Sequence, residues 1–113
     1  MKNELTQSQY DMIDSALDYL GIVERDGCKI YFNSKCQFGA YHHFGDYISI
    51  MDVKNCLPEM IPNIVHELTH RKQRQRMGLF KYALLSCRWW YLTTIEPEAI
   101  RNYNKAEGKL NDV

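Results

Sequence analysis

Apolar positions recur along this chain with two periods, and the changes between them outline a fold. Over Leu5 to Leu20 the spacing is helical, with Tyr10, Ile13, Leu17 and Leu20 on one face and the acidic residues largely elsewhere. Thr6 followed by Gln9 predicts a capping box, and Gly21 predicts the stop. This helix is expected to pack on a sheet and to carry no chemistry. Beyond it the pattern becomes that of strands. Asp26-Gly27 reads as a turn and Cys28 to Asn33 as a short strand. Phe38 to Val53 reads as a hairpin with Gly45-Asp46 near its turn, and Asn55-Cys56-Leu57-Pro58 ends the sheet.

Helical spacing returns at Ile61. Ile61, Ile64, Val65 and Leu68 form an apolar face, Pro62 suits a first turn, and Gly78 ends the run. A third helix is predicted over Phe80 to Leu92, apolar nearly all round and so expected at the centre of the core. Pro97 starts a last helix reaching about Leu110, with Ala99, Tyr103, Ala106 and Leu110 on one face. The order predicts a single α+β domain over residues 1–113: an N-terminal helix, a small sheet, and three helices.

Composition narrows the functional classes. A chain of 113 residues has room for one small core. Its formal net charge of zero gives no overall reason to expect nucleic acid or an acidic membrane as partner. Lys2, Glu4, Asp11, Asp14 and Asp18 interrupt the first twenty residues, so no secretory signal is read there. The apolar stretch Tyr82 to Ile95 is too short to span a bilayer and contains Arg88. A cytoplasmic location is expected. Cys28, Cys36, Cys56 and Cys87 form no C-x-x-C pair, and reduced, mostly buried thiols are expected.

The chemistry is concentrated in His66-Glu67-Leu68-Thr69-His70. Histidines at i and i+4 lie one above the other on a helix, so both imidazoles can reach one metal ion. Glu67, one step round, can face a water bound to that metal. Catalytic zinc usually takes three protein ligands and an open position, and Glu96 and Glu98 are the candidates for the third. Glu96 precedes Ala99 by three residues and shares its face with Tyr103, whereas Glu98 is rotated away. Pro97 also makes Glu96 a cap position, whose side chain could bond its own helix start instead. The spacing favours Glu96 and leaves Glu98 as the alternative.

His66-Glu67-x-x-His70 followed by Glu96-Pro97-Glu98-Ala99 resembles the gluzincin metallopeptidases. The E-x-E-A form also looks like that of small ImmA/IrrE-type and other short bacterial and phage peptidases. The resemblance implies a minimal zincin-like fold, with a glutamate from a downstream helix completing the site. Many gluzincins place alanine three residues after that glutamate, as in Glu96 and Ala99. Thermolysin-like members place it directly after, with an acidic residue four positions on; Glu98-Ala99 fits this except that Asn102 stands for the acid. That departure puts in doubt the carboxylate that often orients a ligand histidine. The strand before the motif helix looks like the zincin edge strand, which pairs with an extended substrate.

The implied activity is hydrolysis of peptide bonds in a bacterial or phage-infected cell, with one Zn²⁺, Glu67 as general base and a peptide or protein as substrate. Tyr91, His43 and Tyr103 are candidate oxyanion or substrate contacts. One alternative is an inactive zinc-binding module that mediates protein or nucleic-acid binding; another is a hydrolase of non-peptide amides. The basic run Arg71, Lys72, Arg74 and Arg76 suits a helix C-terminus, which is the favoured reading over a nucleic-acid patch. His42-His43 is read as a polar strand end, Trp89-Trp90-Tyr91 as core, and Gln73 as packing beside the site without acting in it.

Overall fold

Thr6 starts the first helix in the computed structural model of this chain, which describes residues 3–33, 39–51, 57–86 and 91–111. Thr6 Oγ1 accepts from the Gln9 amide at 3.2 Å, and Gln9 Oε1 accepts from the Thr6 amide at 2.9 Å. Helix α1 (Gln7–Leu20) ends at Gly21, whose φ of 64° turns its N–H back onto the Leu17 carbonyl. Its buried face is the expected Tyr10, Ile13, Leu17 and Leu20. A two-residue strand, β1 (Asn3–Glu4), precedes it.

The sheet continues with β2 (Lys29–Asn33), β3 (Gly39–His42) and β4 (Tyr47–Met51), in the order β1-β2-β4-β3. Strands β2 and β4 run parallel, and the outer pairs run antiparallel. Asp26 and Gly27, at φ 50° and 76°, make the turn before β2, and Asp46, at φ 54°, closes the β3–β4 hairpin. Tyr10 fastens α1 to the sheet: its hydroxyl accepts from the Ile30 amide at 2.9 Å and donates to Glu4 at 2.7 Å.

This order corrects one expectation. The strand directly before the motif helix, β4, is interior, flanked by β2 and β3, and Ile48, Ser49 and Ile50 are buried there. The edge on this side is β3, because the tight hairpin folds it back onto the outside of β4, and β1 is the other edge.

A single 3₁₀ turn (Leu57–Met60) leads into α2 (Ile61–Met77), with Pro62 in the first turn and Gly78 at the end. Ile61, Ile64, Val65 and Leu68 are buried and join Ile13, Ile30, Ile48 and Ile50 in one core. Truncating a fully buried isoleucine such as Ile64 to alanine costs about 2–5 kcal/mol. Helix α4 (Glu96–Asn111) lies along α2 through Ala99 and Ala106, two small side chains with no exposed surface.

The predicted third helix is the element that differs most. Helix α3 spans only Leu79–Leu85 and is not central: Tyr82 is buried, but Phe80 is 90% exposed and Leu84 56%. Gly78, at φ 90°, turns the chain away from the α2 axis, and Phe80 and Leu84 stay outside the core. Tyr91–Ile95 form a π turn that runs directly into α4, so no helix ends at Leu92. Phe38, Asp52-Val53, Asn55-Cys56, Cys36, Cys87 and Trp89-Trp90 lie outside the described residues. Cys28 is a buried free thiol. No helix among the described residues is long and apolar enough to cross a membrane.

Candidate metal centre

One turn of α2 separates His66 from His70, and both face the start of α4. Their rings are 4.8 Å apart and nearly perpendicular. Glu96 Oε1 lies 3.5 Å from His70 Nε2 and directly against His66 Nε2. One ligand atom from each of the three residues lies within 4.8 Å of the others, a group that could hold a metal ion. Glu98 is not part of it; its carboxylate accepts from Gln73 at 2.9 Å and from Arg76 at 3.1 Å. The π turn decides this difference. Because the chain is already helical before Glu96, that side chain does not cap an open helix end and turns to the histidines.

Glu67 is 6% exposed, with Oε2 2.8 Å from His66 Nδ1. A side chain at position 39 of β3 would meet the same carboxylate, its Cβ 3.5 Å from Glu67 Oε2. His66 is therefore placed between two carboxylates. Burial works against its protonation, but Glu67 and Glu96 outweigh burial and raise its pKa. For Glu96, burial favours the neutral acid. Contacts with His70 and Tyr91 and the charge of His66 prevail and hold its pKa at about 2.

These groups floor an open cleft of about 630 Å³. β3 and Tyr82 border it on one side, and Ile100 and Tyr103 of α4 also line it. Tyr91, from the π turn, brings its hydroxyl to 3.1 Å from His70 Nε2. Burial, then its bond to Glu96, pushes that phenol well above its ordinary range, so it stays a neutral donor. His43 lines the cleft with its ring 5.4 Å from that of Tyr82, and burial, then Arg74, lowers its pKa. The structure thus brings Tyr91, His43 and Tyr103 to the cleft, with only Tyr91 touching the candidate ligands. His42 faces elsewhere, stacked on Tyr47 with Nε2 3.0 Å from Ser49 Oγ.

Gln73 packs beside the site, as expected, and it also touches a candidate ligand. It is 1% exposed, and its Oε1 lies 3.0 Å from His70 Nδ1. Its position three residues after His70, on the same helical face, was the available sign. Asn102 donates to Thr69 Oγ1 at 3.0 Å, which ties α4 to α2 and orients no histidine. The basic run is dispersed around the helix: Arg71 is buried against Asp46, and Arg76 pairs with Glu98.

No protein-family model matches the sequence, and no curated protein matches it.

Proposed function

We propose that this protein is a zinc-dependent metallopeptidase of gluzincin type. One observation carries the reading: His66, His70 and Glu96 converge in an open cleft with a second buried carboxylate, Glu67, beside them. Two imidazole nitrogens and one carboxylate oxygen suit zinc and leave a fourth position open. His66, His70 and Glu96, whose ligand atoms all lie within 4.8 Å of one another, would hold such an ion.

A zinc ion held by these residues supplies Lewis acidity, which acidifies water and polarises a carbonyl. Glu67 takes a proton from the attacking water as the carbon–oxygen bond forms. It gives that proton to the leaving nitrogen as the carbon–nitrogen bond breaks. Tyr91, protonated and at the cluster, donates to the developing oxyanion. Strand β3, which pairs only with β4 among the described residues, offers backbone groups to an extended peptide. The substrate is a peptide or protein in the cytoplasm of a bacterial or phage-infected cell.

A second reading, an inactive zinc-binding module, is favoured by the contact of Glu67 with His66, which occupies the base. Incubation with a peptide library, followed by mass-spectrometric detection of new termini, separates the two. A peptidase gives cleavage that a chelator abolishes and zinc restores. A fully metal-loaded protein that cleaves nothing leaves the binding module.

A further inference from the structure

Gln73 sits where a rotatable amide would normally leave its neighbour's state open, yet its surroundings allow it one orientation. Its Nε2 donates to the Ile95 carbonyl at 2.8 Å and to Glu98 Oε1 at 2.9 Å. A flipped amide would set its oxygen against the Ile95 carbonyl and the Glu98 carboxylate, acceptor against acceptor, at a side chain that is 1% exposed. The oxygen must therefore face His70 Nδ1, 3.0 Å away. An oxygen there requires a proton on Nδ1, and a neutral imidazole then carries its lone pair on Nε2. That atom faces Glu96 and His66.

We propose that Gln73, locked by Glu98 and the Ile95 carbonyl, is the positioning residue that sets the tautomer of His70 for metal binding. The proposal rests on the metal-binding reading of the cleft, but the tautomer itself does not. It also assigns Glu98 a role away from the metal: Glu98 holds the amide that holds the histidine. The end of the π turn joins this chain, because Ile95 supplies one of the two acceptors. Partners of this kind fix ring orientation and raise ligand basicity.

The test uses Gln73→Met, which keeps the volume and removes the acceptor. Thr69→Val, a buried change one residue from His70 that leaves the relay intact, serves as the packing control. Zinc affinity is measured by competition with a chelator. The imidazole ¹⁵N shifts of the metal-free protein report the tautomer. Gln73→Met is expected to lose about 10–100-fold in zinc affinity and to lose the Nδ1–H preference of His70, while Thr69→Val, which removes the acceptor of Asn102 and spares the relay, keeps that preference. Should Gln73→Met fail to fold, Glu98→Ala is expected to shift both readings in the same direction by less. Unchanged affinity and an unchanged tautomer in the variant that folds overturn the proposal. If the wild-type protein binds no zinc, the metallopeptidase reading fails, and the ¹⁵N shifts still decide the relay.

Discussion

Helix α2 contributes to two charged clusters built on opposite terms. In one, the Arg71 guanidinium meets both oxygens of Asp46, at 3.0 and 3.3 Å, and donates to the Arg25 carbonyl at 3.1 Å. Tyr41 donates to the same aspartate at 2.7 Å. Each formal charge there has an opposite one supplied by the chain. In the other, Glu67 and Glu96 face imidazoles, and among the described residues neither pairs with an arginine or lysine. Two largely buried carboxylates without a fixed cation are costly. The first cluster is complete as folded; the second could hold a metal ion, and that contrast supports the proposed function.

The contrast can be pressed hardest at Glu67. Exchange for glutamine removes the base and keeps the shape, so turnover is expected to fall by about 10²–10⁴-fold with the metal content intact. Peptide cleavage rates and metal analysis on the same sample check this. A matching substitution in the complete cluster should do the reverse. Arg71→Met strands a partly buried aspartate and is expected to cost about 1–3 kcal/mol of stability, read by denaturant unfolding, with no change in metal stoichiometry.

Acid should dissolve the complete cluster in a defined sense. Burial raises the Asp46 pKa, but the hydrogen bonds from Arg71 and Tyr41 outweigh burial and hold it below the ordinary value. A group whose folded pKa is depressed contributes stability above its unfolded pKa and loses it as pH falls through the folded one. The melting-temperature gap between wild type and Asp46→Asn is therefore expected to be full at pH 7 and to close below about pH 4. The smallest effect belongs to α3. Phe80, 90% exposed, contributes little to packing, and Phe80→Ser should change stability by no more than about 0.5 kcal/mol in the same unfolding measurement.

Much of the α2 side of the cleft was legible in the chain because the signals are local. The i, i+4 spacing of His66 and His70, the Thr6–Gln9 box and the Gly21 and Gly78 stops each involve residues within a few positions. The sheet was harder. Residues 47–51 read correctly as a strand, but whether it is interior or edge depends on a parallel partner, β2, about eighteen residues earlier in the register. Phe80 to Leu92 misled because an apolar run reads the same whether its residues enter the core or, like Phe80 and Leu84, remain exposed. The spacing favoured Glu96 over Glu98, and what it left open, whether Glu96 caps its own helix, turned on the π turn at Tyr91–Ile95, which no residue pattern announces. The hydrogen bonds of Gln73 were not legible for a related reason: the partners that fix its amide, Ile95 and Glu98, come from outside its own helix.

The central claim, that two imidazoles of α2 and the first carboxylate of α4 hold a metal ion, is tested most directly by metal analysis of the protein purified without chelators. The measurement is made beside Glu96→Ala and Glu98→Ala. The account expects about one zinc ion per chain in the wild type, loss in Glu96→Ala, and retention at weakened affinity in Glu98→Ala. A wild-type protein free of metal, or a Glu96→Ala variant that keeps its zinc while Glu98→Ala loses it, would contradict it.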